Sequence, residues 1–222
     1  MRNRALPTMT LTAGLLLVLT ACLGGSDEPE IKGPVGDLAP TPSPSTATLK
    51  QHGGPAGGFT IGLPEGWQIV DPTTSSLDAV RTAFGIKGGE LPELVEATLD
   101  ELKKHNAVFA VETASLSTGY ANHLTAVCAP GGAIGNDLDT LKRKSRALNG
   151  KHQGYRLTDV TVSGKPGLRA SYTSTKSTGV TEDEVEIQVP GTGDKVCETQ
   201  ITTKQGAPAK DTEQILASFK IV

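Results

Sequence analysis

Alternating apolar and polar positions near residue 60 predict a pair of strands. Phe59, Ile61 and Leu63 alternate with small or polar residues, and the alternation resumes at Trp67 after the triplet PEG. A period of two indicates a strand with one buried face, and proline followed closely by glycine is typical of a tight turn. We therefore predict a β-hairpin over 59–69.

Further strand patterns follow at 107–114 and 123–129, and four more lie in series between 155 and 204. In the run EVEIQV, three branched apolar residues alternate with Glu184, Glu186 and an amide. Such alternation is typical of antiparallel sheets that keep one face in water. We therefore predict an antiparallel sheet and place Glu184 and Glu186 on its solvated face.

Apolar residues at helical spacing predict helices over 73–85, 90–106, 137–148 and 211–217. The third begins at Asp137, a residue type that caps helix N-termini. Helices and strands in this order predict an α+β fold, in which helices pack against the antiparallel sheet.

The first 21 residues have the pattern of an export signal. Two arginines near the start precede an uncharged stretch of 17 residues (5–21). A membrane span needs about 20 apolar residues, so this stretch is too short for a permanent span. The sequence LTAC at 19–22 resembles the lipobox of bacterial lipoproteins. That resemblance implies cleavage before Cys22 and lipid, palmitate included, on the mature N-terminus. An ordinary secretory signal before an incidental cysteine is the alternative.

This pattern predicts a signal peptide at 1–21, an anchor at Cys22 and a location at the outer face of the bacterial cell membrane. Residues 22–58 are rich in Gly, Pro, Ser and Thr, a composition that buries too little apolar surface to fold. We expect them to form a flexible tether, which leaves 59–222 as one globular domain.

The charge balance argues against a nucleic-acid partner. The chain has 24 acidic and 21 basic side chains, and two of the basic ones lie in the signal, so the mature chain has 24 against 19 and a net charge of −5. Proteins that bind nucleic acid neutralise phosphates with an excess of lysine and arginine.

Two cysteines follow the anchor, Cys128 and Cys197, and each lies within a predicted strand. An even number of cysteines in an exported domain favours a disulfide. Two buried free thiols are the alternative, because the sequence does not give the distance between the strands.

Motifs of common enzymes are absent from the sequence, including G-x-S-x-G, H-E-x-x-H, C-x-x-C and the P-loop. We therefore predict no catalytic residues, no cofactor and no metal site. The acidic run at 182–186 lacks the glycine turn and ligand spacing of a calcium loop, so we interpret it as the solvated start of a strand.

Basic residues around the third predicted helix form the candidate binding patch. Its members are Lys142, Arg143, Lys144, Arg146 and Lys151. Such a patch fits anionic lipid headgroups or wall phosphates. We therefore predict an envelope protein or an anionic envelope ligand as the partner. A solvated helix face without a partner is the alternative.

Three short motifs resemble PsbP-like domains, including the LpqN-type lipoproteins. They are FTIGLPEGW at the start of the domain, VSGKPGLRASY in its second half and ILASFKIV at its end. The resemblance covers about 59–222 and implies an α/β/α sandwich around an antiparallel sheet. It also implies a binding or assembly subunit, so no catalytic residues are carried over.

The sequence therefore predicts a lipid-anchored domain that binds a protein partner or an envelope ligand. An envelope hydrolase and a carrier of a small apolar molecule are the alternatives. Asp, Glu and Ser converging in a deep pocket favour the hydrolase, and a closed cavity favours the carrier. A shallow, charge-lined groove or a flat sheet face favours binding.

Overall fold

The computed structural model describes residues 47–70, 81, 100–132, 135–176 and 179–222. The predicted signal peptide, Cys22 and most of the helices predicted over 73–85 and 90–106 lie outside the described residues. Within those two ranges, residue 81 and residues 100–106 are described. Residue 81 and residues 100–104 are helical, and residues 105 and 106 form a turn.

The described part of the chain contains ten strands. In chain order they are β1 (Lys50–Gly54), β2 (Phe59–Leu63), β3 (Trp67–Ile69), β4 (Val108–Glu112), β5 (His123–Pro130), β6 (Gln153–Val162), β7 (Lys165–Thr175), β8 (Thr181–Pro190), β9 (Lys195–Lys204) and β10 (Lys220–Ile221). Besides the helical residues given above, it contains the helices α1 (Thr113–Leu116), α2 (Leu138–Asn149) and α3 (Thr212–Ala217).

Seven strands form a large sheet in the order β3-β4-β5-β9-β8-β7-β6, and all neighbours in it are antiparallel. The other three form a small antiparallel sheet in the order β1-β2-β10. The antiparallel sheet predicted from the alternating runs is thus confirmed.

The predicted hairpin over 59–69 is wrong. Its two strands exist, but β2 pairs with β1 and β10 in the small sheet, whereas β3 pairs with β4 in the large one. At the turn between them, the Trp67 backbone N–H donates to the Pro64 carbonyl across 3.3 Å. This turn carries the chain from one sheet to the other, so strands next to each other in sequence are not partners.

The folded domain also begins earlier than the predicted boundary at residue 59. β1 lies inside the predicted tether, and its five residues pair with β2 from Lys50 opposite Leu63 to Gly54 opposite Phe59. Its sequence KQHGG has no apolar alternation, so only its backbone pairing with β2 makes it a strand.

Helices pack against both faces of the large sheet. Leu141 of α2 packs with Leu168 of β7 on one face, and Ile215 of α3 packs with Ile187 of β8 on the other. Phe59 of β2 belongs to the same core cluster as Ile215, so the small sheet lies on the α3 side. The predicted α+β fold, with helices on a central antiparallel sheet, is confirmed.

The predicted disulfide between Cys128 and Cys197 is confirmed. The two residues lie directly opposite each other on β5 and β9, near the middle of the large sheet. Both belong to the core cluster on the α3 side, and each is 2% exposed.

The N-terminal cap of α2 is confirmed as well. The Asp137 carboxylate accepts a hydrogen bond from the Thr140 backbone N–H (2.9 Å) and another from its hydroxyl (2.6 Å). Among the described residues, no helix combines the length and the apolar character needed to cross a bilayer.

Candidate functional site

The α2 side of the large sheet carries four buried glutamates, called here the glutamate row. Glu182, Glu184 and Glu186 alternate along β8, Glu198 lies on the neighbouring β9, and none is more than 9% exposed. The period of two placed Glu184 and Glu186 on one face correctly. The prediction that this face is solvated is wrong, because the row is covered.

One end of the row is held by a lysine and a tyrosine. Lys176 Nζ lies 3.0 Å from one carboxylate oxygen of Glu182, and the Tyr120 hydroxyl donates to the other across 2.8 Å. Burial raises the pKa of Glu182, and the charge of Lys176 opposes that rise. Burial and the adjacent Glu182 also raise the pKa of Tyr120, which keeps its hydroxyl available as a donor.

Glu184 accepts hydrogen bonds from three side chains. The Tyr172 hydroxyl donates across 3.0 Å, the Gln200 amide across 2.6 Å, and the Ser174 hydroxyl donates to the second oxygen. Donors from β7 and β9 therefore satisfy a carboxylate on β8 that lies between them. A buried polar group satisfied in this way fixes the packing of its neighbours.

Glu186 and Glu198 form the other end of the row, under α2. Asn149 of α2 donates to Glu186 across 3.3 Å, and Gln188 donates to Glu198 across 2.8 Å. Burial raises the pKa of Glu198 to about 7. Burial, and then the charge of Glu198, raise the pKa of Glu186 well above its usual value. The pair therefore does not carry two full charges at neutral pH.

The members of the predicted basic patch differ in their surroundings. Lys142 Nζ lies 2.6 Å from Asp159 on β6, so Lys142 is directed at the sheet edge. The charge of Lys144 lowers the pKa of the buried Glu198. Arg143, Arg146 and Lys151 are exposed, so these three make up the solvated part of the patch.

The α3 side of the sheet carries a groove with an apolar floor. It has a volume of about 350 Å³, is partly open to solvent and runs between β6 and α3. Val160, Val162, Ile187, Leu216 and Phe219 supply its apolar lining. We call it the Phe219 groove.

A second, smaller groove lies along the other side of α3. It has a volume of about 280 Å³, and its apolar lining includes Val185, Ile201 and Pro208. Asp183 and Lys210 add charges of both signs. Neither groove is lined by a member of the glutamate row, because the row lies on the opposite face of the sheet.

Arg169 and Glu213 form an ion pair with two hydrogen bonds between the sheet and α3. The two guanidinium nitrogens of Arg169 lie 2.7 and 2.6 Å from the two carboxylate oxygens of Glu213. This pairing lowers the pKa of Glu213 and raises that of Arg169. Both side chains line the Phe219 groove, so the pair forms part of its wall.

The rim of the Phe219 groove carries more positive than negative charge. Lys220 lines the groove and is exposed. Arg156 and Lys165 lie on the same face of the sheet as Val160 and Val162, by the alternation along β6 and the pairing of Val162 with Lys165. The charged residues that line the groove itself are thus two cations, Arg169 and Lys220, and one acid, Glu213. A net positive rim favours a partner with negative charge.

Sequence reasoning missed this groove, because no local signal marks it. Arg169 and Glu213 are 44 residues apart in the chain, and each is a single charge within a strand or a short helix. Val160 and Val162 were visible as strand positions. Their role in a groove depends on how α3 lies across the sheet.

No model of a known protein family matches the chain, and no curated protein matches it. The solved structures that it resembles include the cyanobacterial PsbP of Synechocystis (12% identity, 83% of this chain and 99% of that one, TM-score 0.47). They also include LpqN of Mycobacterium tuberculosis, a protein involved in cell envelope biogenesis (14% identity, 80% and 92%, TM-score 0.41). The resemblance to PsbP-like and LpqN-type proteins indicated by the sequence motifs is thus found among solved structures.

A Bacteroides thetaiotaomicron protein is similar as well (14% identity, 78% of this chain, TM-score 0.44), and this chain spans about half of its length (48%). At these identities and TM-scores, the likenesses assign no activity and no partner to this chain. The function proposed below rests on the groove and on the sequence.

Proposed function

We propose that this protein is a membrane-anchored extracytoplasmic lipoprotein whose domain binds a partner protein through the Phe219 groove. The groove carries the binding part of the proposal. An apolar floor surrounded by a charged rim is the usual anatomy of a protein–protein interface. The anchor and the location at the outer face of the membrane are supported by the export signal and the LTAC sequence before Cys22.

The shape of the groove favours a protein partner over a small apolar molecule. Small-molecule sites are cavities of about 300–1,000 Å³ that cover most of their ligand. The Phe219 groove, at about 350 Å³, lies at the lower end of that range and is partly open to solvent. It therefore fits side chains presented by a larger partner better than a whole enclosed ligand.

Binding is also favoured over catalysis. A carboxyl group with a raised pKa is suited to proton transfer when it faces a substrate. In this domain Glu186 and Glu198 are buried beneath α2, and neither groove is lined by them. Their hydrogen bonds with Asn149 and Gln188 make them part of a structural network.

The position of Ala47, on the predicted tether side of the domain, supports a partner near the membrane. The carbonyl of Ala47, the first described residue, accepts a hydrogen bond from the Gln214 side chain of α3 across 2.7 Å. Ala47 therefore lies against α3, on the face of the sheet that carries the Phe219 groove.

Crosslinking on intact cells tests the proposed binding surface, with the lipidated protein as bait. The groove variant carries Arg156→Glu and Lys220→Glu, both at exposed side chains. The matched control carries Arg143→Glu and Arg146→Glu on the exposed face of α2, which changes the net charge by the same amount. We expect a discrete crosslinked protein with wild type and with the control, and its loss with the groove variant. Loss with the α2 variant alone would assign binding to the solvated part of the basic patch instead.

The anchor is tested separately by Cys22→Ala. Without the thiol no lipid is attached, so we expect the protein to leave the membrane fraction and appear in the medium. Retention of Cys22→Ala at the membrane would contradict the lipid anchor and leave the groove result unaffected.

A further inference from the structure

The β6 edge of the large sheet lies beside the Phe219 groove. Strand β6 is the last strand of that sheet, and among the described residues it pairs only with β7. It has ten residues, whereas the other edge strands, β1, β3 and β10, have five, three and two. A long edge strand offers a row of backbone donors and acceptors to another strand.

The turn after β6 shows which of its backbone groups face outward. Ser163 and Gly164, the two residues between β6 and β7, have φ angles of 51° and 76°. Two positive φ angles define a type I′ hairpin, whose flanking residues, here Val162 and Lys165, form a hydrogen-bonded pair. Even-numbered residues of β6 therefore bond to β7. The backbone groups of Leu157, Asp159 and Thr161 point to the open edge.

On the groove side of the sheet, β6 carries apolar side chains near its end and a cation near its start. Val160 and Val162 lie in its apolar lining, and Arg156 lies further along the same face of β6. A strand added antiparallel to β6 would place apolar side chains opposite the two valines and acidic side chains near Arg156. The irregular pairing of β6 is confined to residues 153–156, so the edge from 157 to 162 is regular.

We propose that β6 accepts an acidic, extended segment of a partner protein as an eighth strand, with alternate side chains of that segment in the Phe219 groove. Main-chain hydrogen bonds supply affinity in strand addition, and pockets for alternate side chains supply specificity. The inference rests on the proposed function and names the type of partner. A second copy of this chain fits less well, because it would bring Arg156 and Lys165 to a rim that is already positive.

A synthetic peptide tests the inference directly. The probe is acetyl-Val-Thr-Ile-Thr-Glu-Thr-Glu-amide with a fluorescent label, titrated by anisotropy against the full chain carrying Cys22→Ala. Its groove-side residues are Val, Ile, Glu and Glu, in the order that antiparallel pairing with 162 to 156 requires. We expect binding of this probe and at least tenfold weaker binding of the same peptide with lysine in place of glutamate.

Backbone methylation of the probe separates strand addition from side-chain binding. N–H groups of residues opposite Asp159 and Thr161, which are threonines of the probe, face β6. N-methylation of the central threonine is expected to weaken binding at least tenfold, whereas N-methylation of isoleucine, whose N–H faces away, leaves it within about twofold. Equal effects at the two positions would overturn the proposal.

Variants of the protein give a second test. Thr161→Pro removes an outward N–H that β7 does not use, and prolines of this kind are tolerated on edge strands. Thr161→Ala keeps the N–H and is the matched control. We expect only Thr161→Pro to lose the peptide, with both variants retaining the wild-type circular dichroism spectrum. If Thr161→Pro misfolds, the methylated peptides still test the proposal against the chain that carries only Cys22→Ala.

The remaining outcomes separate this inference from the proposed function. If the groove variant loses the crosslinked partner but methylation at both positions is harmless, the partner binds the groove and strand addition is wrong. If the chain self-associates and Thr161→Pro abolishes this association, the occupant of the edge is a second copy of the chain. The proposal of an acidic partner segment would then be wrong.

Discussion

Cys128 and Cys197 are directly opposite each other on two central strands, and their disulfide joins residues 69 positions apart in the chain. The bridge lies in the α3-side core with Phe59 and Ile215. It therefore links the middle of the large sheet at the layer where the small sheet and α3 pack against it.

Replacing both cysteines is expected to lower the free energy of unfolding by about 2–4 kcal/mol, because the unfolded chain loses a crosslink that closes a long loop. The double variant Cys128→Ala/Cys197→Ala would be compared with wild type in urea without reductant. Reduced wild type is the control, and it should unfold near the midpoint of the variant. A shift of less than about 0.5 kcal/mol in both would contradict a stabilising bridge.

The pKa of Glu198 predicts a pH dependence of stability. Its pKa in the folded domain is about 7, above the value of about 4.3 for an exposed glutamate. Its stabilising contribution is therefore fully present below about pH 4 and is lost as the pH rises through 7. The Glu198→Gln variant cannot ionise, so we expect its stability relative to wild type to increase over this range by on the order of 3 kcal/mol.

The comparison of wild type with Glu198→Gln is needed because another buried group acts in the opposite sense. Burial lowers the pKa of His123 to about 4. An unfolded histidine binds a proton near pH 6.5, so the contribution of His123 is lost as the pH falls. Urea unfolding of both proteins at several pH values isolates Glu198. A difference that does not change between pH 4.5 and 8 would show that Glu198 is ionised throughout.

Lys144 and Arg146, both on α2, are expected to differ in their effect on the pKa of Glu198. Lys144 lowers the pKa of Glu198 by its charge, whereas Arg146 is exposed. Lys144→Gln should raise the pKa of Glu198 further, and Arg146→Gln should leave it nearly unchanged. Carbon NMR of the labelled glutamate carboxyls measures both. Equal shifts in the two variants would show that the α2 cations act only through net charge.

Strand positions were predictable from the sequence, but strand partners were not. The alternation of Phe59, Ile61 and Leu63 marks β2, and its pairing with β10 is set by Lys220 and Ile221 at the far end of the chain. Short-range periodicity reports which face of a strand is buried. It holds no information about a partner some 160 residues away.

The glutamate row shows a different reason for a wrong prediction. Acidic residues at alternate positions indicate a solvated face, because a buried charge is costly without partners. Here Tyr120, Tyr172 and Asn149 supply hydrogen bonds to the carboxyl groups from other parts of the chain. The signal that was present lay in α2, where inward-facing Ser145 and Asn149 are polar residues on the buried side of the helix.

The pair Arg169–Glu213 is expected to contribute little to stability, although its geometry is close. Arg169 and Glu213 are 28% and 57% exposed, and partly exposed pairs of this kind are worth about 0.2–1 kcal/mol in double-mutant cycles. The cycle uses Arg169→Gln, Glu213→Gln and the double variant, with urea unfolding as the measurement. A coupling energy above about 2 kcal/mol would show that the pair holds α3 on the sheet. The cycle also measures the stability of Arg169→Gln alone. If that variant unfolds close to wild type, loss of partner binding in it reports on the groove and not on unfolding.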